Sequence, residues 1–344
     1  LNMYDYVIVT HLPVFYKINL YNELASYKNI LVVFVSDSTI VKRANDFSKL
    51  GVVNFEYKTL NHGSFQNRNK VVSCFKLLKI LSAIKCKRLL LGGWDLPEFW
   101  VSIMVSPKNK NYLALESSVL DSTHVGYKKV IKQLFLSKIV SVFSSGKNHV
   151  SLLSKLSYSG EIRVTRGVGL INKPEIKISN DKYRKNFLFI GRLTKVKNLR
   201  FLVDVFNGLS GVTLTIIGDG EEFESLRTMA NDNIIFLGSI SNDELSFEFN
   251  RNDFLILPSI QEPWGLVVEE AIYHGLPVLI SNCCGSQDLI VDKVHGFIFD
   301  PFDTLTLRNL IMSIDQKLYT ELHLNVSRCD LKEKDRYQLE QYIN

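Results

Sequence analysis

A chain of 344 residues is too long for one ordinary hydrophobic core and fits two domains of roughly 150 residues each. With 46% apolar and 22% charged residues and no low-complexity tract or internal repeat, it reads as a folded protein and not a disordered one. The net charge of +6 hides an asymmetry, because 23 Lys and Arg stand against 10 Asp and Glu through Leu170, and 18 against 25 after it. A basic half of this kind attracts nucleic acid, anionic lipid headgroups or a phosphorylated acceptor, unless its lysines are merely solvated.

The longest apolar runs, at 30–35 and 139–143, fall far below the ~18–20 residues needed to cross a bilayer. The opening Leu1-Asn2-Met3-Tyr4-Asp5 has no basic stretch, apolar core or cleavage site of a secretory signal, so a cytoplasmic location is the expectation. Cys74, Cys86, Cys283, Cys284 and Cys329 lack the spacing of a zinc site or disulfide framework, and no two histidines stand three or four residues apart. Reduced thiols and no bound metal or other cofactor are expected.

In chain order, residues 6–10 predict a strand, and after a His11-Leu12-Pro13 turn, 15–27 predict a helix. Strands follow at 30–36, 52–57, 88–91, 112–116, 139–144 and 162–166, with helices at 70–84, 128–137 and 147–156. Strands alternating with helices imply a parallel sheet, closing an N-terminal domain at 1–170. Residues 171–185 dissolve into Asn, Lys, Ser and Pro, the composition of a linker. The alternation restarts with strands at 186–190, 212–217, 234–236, 254–257 and 277–280 and helices at 198–209, 222–230, 243–250 and 266–274. A further helix is expected after Gly285. The second domain therefore spans 186–320, and a polar C-terminal helix in 321–344 is expected to return toward the first. The fold class is α/β, two Rossmann-like parallel-sheet domains facing a central cleft, where ligands collect at strand carboxyl ends.

Two segments carry chemistry. Gly191-Arg192-Leu193-Thr194-Lys195-Val196-Lys197-Asn198 lies between a strand and a helix. Gly191 lets backbone approach a ligand, while Arg192 and Lys197 add two cations beside a helix N-terminus, a corner suited to a diphosphate. The alternative is a basic loop capping a sheet edge. Glu262-Pro263-Trp264-Gly265-Leu266-Val267-Val268-Glu269-Glu270-Ala271 follows another strand. Glu262 sits before the helix and Glu270 roughly 7–8 Å along it, so the two carboxylates can reach different parts of one extended ligand. The amides around Gly265 and Leu266 suit a phosphate. Glu269 reads as a solvated helix charge, whereas Glu270, in an apolar stretch, needs a partner. Gly218-Asp219-Gly220 lacks the third glycine of a dinucleotide fingerprint, Phe223 standing there, and marks only a strand meeting a helix.

These segments resemble the G-R-L-x-x-x-K-N loop and E-x7-E motif of glycosyltransferase family 4, a retaining family of GT-B architecture, followed by Ala271, His274-Gly275-Leu276-Pro277-Val278 and Gly285. The resemblance covers the second domain. It implies that Arg192 and Lys197 bind the donor diphosphate, Glu262 contacts the donor sugar, Glu270 holds the ribose hydroxyls, and Gly238 lies beside the base, with Trp264 among the donor contacts. It also implies a UDP- or GDP-sugar donor and transfer with retention, without a divalent metal. The acceptor is expected to be a glycan or lipid-linked glycan in O-antigen, capsule or other surface-polysaccharide assembly, and nucleic acid is not an expected partner.

In the first domain the resemblance thins. Where the family often carries a glycine pair after the first strand and a histidine after the fourth, this chain has His11-Leu12-Pro13 and Gly92-Gly93-Trp94-Asp95. Asp95 could meet the donor sugar or an acceptor hydroxyl, or could cap a helix before Leu96-Pro97-Glu98. Glu116 ends another strand, and Trp94, His11 and His124 complete the sugar-side candidates. The basic helix at 128–138 suggests peripheral contact with anionic lipid at the inner face of the plasma membrane. Two other readings remain: a nucleotide-sugar epimerase of the same architecture, which would convert a donor without any acceptor, and a non-catalytic binding module for glycan or membrane.

Overall fold

Short apolar strands separated by helices can bury both their faces only in a parallel sheet covered on each side, and the chain forms two such sheets. The computed structural model describes residues 3–40, 51–174 and 182–344. Among the described residues, one compact unit takes in 3–40 and 51–170 together with Lys332–Asn344, and a second takes in 171–174 and 182–331.

The first unit contains strands β1 (Met3–Thr10), β2 (Ile30–Ser38), β3 (Glu56–Ser64), β4 (Lys85–Leu91), β5 (Asn111–Leu115), β6 (Ser141–Ser144) and β7 (Glu161–Val164). Its helices are α1 (Phe15–Ala25), α2 (Lys70–Ser82), α3 (Pro97–Val105), α4 (Gly126–Leu136) and α5 (Lys147–Lys155). The strands pair in parallel in the order β3-β2-β1-β4-β5-β6-β7. Alternate residues of β2 divide the core: Leu31, Val33 and Val35 meet α2, α3, α4 and α5, whereas Ile30, Val32 and Phe34 meet α1. A buried bidentate pair, Arg68 Nε to Glu98 Oε1 at 2.8 Å and Nη2 to Oε2 at 3.1 Å, fastens the segment before α2 to the first turn of α3.

The second unit holds β8 (Asn186–Ile190), α6 (Leu199–Asn207), β9 (Thr213–Ile217), α7 (Phe223–Met229), β10 (Ile234–Gly238), α8 (Asn242–Arg251) and β11 (Phe254–Leu257). It continues through α9 (Leu266–Tyr273), β12 (Val278–Ser281), β13 (Gly296–Phe299), α10 (Thr304–Ser313) and α11 (Gln316–Ser327). Its sheet runs β10-β9-β8-β11-β12-β13, again parallel. Asp253, fully buried ahead of β11, accepts from the amides of Arg184 at 2.8 Å and Asn186 at 2.9 Å and so fixes the amino ends of β8 and β11 side by side.

Helix α12 (Leu331–Ile343) ends packed on the first unit. Tyr342 stacks on Phe143 with ring centroids 4.2 Å apart, and the Arg88 guanidinium donates to the carbonyls of Tyr342 and Asn344. A cation there meets the negative end of the helix dipole.

Several expected elements differ. The strand expected at 52–57 runs instead over Glu56–Ser64, because pairing with β2 begins where Leu31 meets Glu56 and Val52 is left exposed. The helix after Gly285 is a single 3-10 turn, Gly285–Leu289, and β13 was not anticipated because Gly296-Phe297-Ile298-Phe299 is too short a run to signal itself.

Buried polar groups set pH limits on this core. His274 ends α9, stacks on Phe249 at 4.5 Å, and leaves its Nδ1 without a hydrogen-bond partner; burial lowers its pKa from 6.5 to about 4. The native state thus refuses a proton that the unfolded chain accepts, so stability is full above 6.5 and is lost as pH falls toward about 4. The expected loss through this group is on the order of 2–3 kcal/mol. Urea unfolding across this range should show a shallower acid decline in His274→Leu than in the parent; identical declines would contradict the assignment.

Candidate functional site

In the second sheet the chain order reverses between β8 and β11, and the crevice outside the carboxyl ends of such strands is where open α/β sheets hold ligands. Both sequence-selected segments leave these two strands. The loop after β8 is anchored by fully buried Leu193, whose amide donates to the Asp219 carbonyl at 3.0 Å and whose carbonyl accepts from the Glu222 amide at 3.0 Å. The Gly218-Asp219-Gly220 turn does more than join a strand to a helix. A Cβ on Gly218, at φ +138°, would lie 1.9 Å from the Gly191 carbonyl oxygen, and one on Gly220 would lie 2.4 Å from that of Leu193. The two glycines let one loop lie against the other.

The loop after β11 is tied to the same corner by the Ile260 amide donating to the Val196 carbonyl at 2.9 Å. Lys197 and Glu262, largely buried, form a direct ion pair, and Ser259 Oγ donates to the same carboxylate at 3.4 Å. Two groups chosen separately for diphosphate and sugar thus meet each other. Arg192 is exposed, and among the described residues no carboxylate pairs with it.

Gly265 precedes α9 at φ +93°, and a Cβ there would stand 3.0 Å from Cys284 Sγ, 3.1 Å from Ser286 Oγ and 3.2 Å from Glu262 Cγ. Only glycine fits there, and it puts the first-turn amides beginning at Leu266 beside Glu262. Cys284 and Ser286 escaped the sequence reading because neither carries a charge or a motif. The Cys284 thiol, raised to about 12 by burial and then by the charge of Glu262, stays protonated and donates to the Trp264 carbonyl at 3.2 Å.

Glu269 is not a solvated charge. It is buried and accepts the Trp264 indole N–H at 2.6 Å, so α9 turns one carboxylate inward to fix the tryptophan, while Trp264 itself is buried. Glu270 has no hydrogen-bond donor or cation among the described residues; burial, then the charge of Glu269, pushes its carboxyl up to about 7. Gly238 ends β10 at φ +69° and its carbonyl accepts from the Gly218 amide at 2.8 Å.

The first sheet reverses between β1 and β4, and there His11 meets Asp95. His11 Nε2 lies 3.1 and 3.0 Å from the two Asp95 oxygens. Burial would raise the Asp95 carboxyl, but the His11 hydrogen bond and the charges of His11 and Lys17 outweigh it and hold the group below its ordinary range. An ionised carboxylate only accepts, so Nε2 donates the hydrogen of this contact. Asp95 is not a helix cap, since Leu96 holds that position without a side-chain bond.

Glu116 pairs with buried Lys17 at 2.5 Å; burial would discharge the lysine, but Glu116 more than offsets it and raises its pKa. Trp94 lies beneath the Lys132 ammonium, 5.4 Å from the ring centroid, and His124 Nδ1 is 3.2 Å from the Ser122 carbonyl. Among the described residues no three His, Cys, Asp or Glu side chains gather as a metal-ligand set, and no helix is long and apolar enough to cross a membrane.

Residues 172–320 match the family described as glycosyl transferases group 1. An uncharacterized 41.2 kDa protein in the cps region of Klebsiella pneumoniae is 31% identical over 157 residues, 44% of this chain and 42% of that protein. A sulfoquinovosyl transferase of Arabidopsis thaliana is 31% identical over 172 residues, 48% of this chain and 32% of that one. The matched stretches thus span less than half of each relative. Among solved structures, the Anabaena protein HepE in complex with UDP superposes with a TM-score of 0.72 at 14% identity, covering 96% of this chain and 97% of that one. At that identity the likeness is one of fold, and the fold is GT-B.

The state of Glu270 yields a test. A carboxyl raised from 4.5 to about 7 favours folding below 4.5, and that benefit is lost as pH rises through about 7, when the native state must hold an unpaired charge. Glu270→Gln should therefore be more stable than the parent at pH 8 by on the order of 1–3 kcal/mol in urea unfolding, the gap closing below pH 4.5. Equal stability at pH 8 would show that the carboxylate already has a partner.

Proposed function

We propose that this chain, whose residues 172–320 belong to glycosyl transferases group 1, transfers a sugar from a UDP- or GDP-sugar to a glycan or lipid-linked glycan acceptor. The observation that carries the reading is the meeting of Lys197 and Glu262 at the carboxyl edge between β8 and β11, with unpaired Arg192 on one loop and unpaired Glu270 on the other helix.

A nucleoside diphosphate sugar offers each group its complement. Arg192 and Lys197 take the two phosphates, as a bidentate fork and a point charge, and the amides at Gly265 and Leu266 add donors at a helix N-terminus. Glu270 accepts from ribose hydroxyls, which relieves its unpaired charge. Glu262 accepts from the sugar while its ion pair holds Lys197 toward the phosphate. The bond between the anomeric carbon and the phosphate oxygen breaks as the acceptor oxygen bonds to that carbon on the same face, and the departing phosphate takes the hydroxyl proton, so configuration is retained. Lys197 and Arg192 stabilise the charge that develops on the leaving group, in place of a divalent metal. His11, Trp94, Asp95, Glu116 and His124 are the first unit's candidates for the acceptor and sugar side. The setting we propose is surface-polysaccharide assembly at the inner face of a bacterial plasma membrane; the Klebsiella relative, itself uncharacterized, is described by its cps region.

A thermal-shift screen with UDP, GDP and their sugars tests the donor site, since a ligand at a hundred times its dissociation constant stabilises by about 2.7 kcal/mol. The matching nucleotide should raise the melting temperature of the parent and fail to do so for Glu270→Gln. Lys197→Ala should remain folded and release nucleotide from the donor at least about a hundredfold more slowly. Arg192→Ala should slow release without altering stability. Near-normal turnover in both variants would end the assignment.

A further inference from the structure

Exposed aliphatic and aromatic side chains in the first unit concentrate on the helices that cover one face of its sheet. Helices α2, α3 and α4 pack inward on a shared core through Leu77, Phe99 and Phe135. Trp100 of α3 meets Phe135 of α4 edge-on at 5.0 Å. Their outer surfaces are apolar where water would favour polar groups. Phe75 is 67% exposed, Met104 80%, Tyr127 73% and Leu134 58%, joined by Val71 and Ile131. On α4, Tyr127, Ile131 and Leu134 recur at helical spacing, so they form one exposed stripe, with buried Leu136 on the opposite side of the helix and Phe135 at the edge between. Such a patch on a protein surface marks a partner.

The charge around it identifies the partner. Helices α2 and α4 carry Lys70, Lys76, Lys79, Lys128, Lys129 and Lys132 and no Asp or Glu. Lys76 donates to the Leu60 carbonyl and Lys132 to Ser122 and Thr123, while Lys70, Lys79, Lys128 and Lys129 have no carboxylate partner among the described residues. An apolar stripe flanked by unopposed lysines matches a surface with phosphates outside and hydrocarbon within. A second copy of the same face would set lysines against lysines.

We infer that the outer faces of α2, α3 and α4 seat the first unit on an anionic lipid bilayer, with Phe75, Tyr127, Ile131 and Leu134 entering the headgroup boundary and the lysines meeting the phosphates. The inference deepens the proposed work at a membrane, and it differs from purely electrostatic attachment in its response to salt. Charge attraction is screened at about 1 M salt, where the Debye length is about 3 Å, whereas burial of apolar surface is not.

Co-sedimentation of the full chain with phosphatidylglycerol and with phosphatidylcholine vesicles tests it. The parent should bind phosphatidylglycerol vesicles in preference and keep part of that binding at about 1 M salt. The triple variant Phe75→Ser, Ile131→Ser, Leu134→Ser should partition about tenfold or more weakly, with its nucleotide-induced thermal shift unchanged. No binding to either vesicle, or binding that vanishes in salt and ignores the serine substitutions, would overturn the inference. So would a soluble dimer by light scattering that the substitutions dissociate. The nucleotide shift reports on the donor site separately, so a failed docking surface and a failed donor site give different results.

Discussion

The ion pair between Lys197 and Glu262 joins the two loops that leave β8 and β11, and the chemistry of the second unit is arranged around it. Holding both charges largely out of water costs free energy that a surface pair does not, and an apolar contact of similar volume would stabilise as well or better. What the pair supplies is position. Each side chain holds the other in place at the strand ends, and the backbone bond from Ile260 to Val196 holds the loops at the spacing the pair needs.

That spacing depends on glycines placed where side chains would collide. Gly218 and Gly220 let their turn lie against the Gly191–Leu193 backbone, and Gly265 lets Glu262, Cys284 and Ser286 crowd the start of α9. The first unit repeats the device: a Cβ on Gly93 would stand 2.5 Å from Asp95 Oδ1, and one on Gly92 would meet Thr10 Oγ1 at 3.0 Å. In both sheets glycine removes bulk at the switch point, and charged side chains fold back over the strand ends. In each, a cationic or ionisable nitrogen meets a carboxylate across neighbouring strands, Lys197 with Glu262 and His11 with Asp95.

Helix α9 divides its two adjacent glutamates between structure and readiness for a ligand. Glu269 fastens Trp264, which stabilises the loop before the helix. Glu270 stays unpaired and partly ionised near neutrality, a cost to the empty protein that a hydroxyl-bearing ligand would offset. Such opposed environments on consecutive residues are ordinary for a helix, because positions one apart point about 100° from each other.

Local pattern alone carried the two-sheet architecture, the strand-loop-helix setting of residues 186–198 and 254–270, and the choice of Arg192, Lys197, Glu262 and Glu270, because hydrophobic periodicity and glycine, proline and charged punctuation are properties of neighbouring residues. The strand Glu56–Ser64 was misplaced because its polar stretch becomes a strand only by pairing with β2. The meeting of His11 with Asp95 and of Lys17 with Glu116 joins residues far apart in the chain, which no local pattern encodes. The inward turn of Glu269 and the crowding of Cys284 and Ser286 against Gly265 were likewise decided by packing, since burial belongs to the three-dimensional neighbourhood and not to the residue.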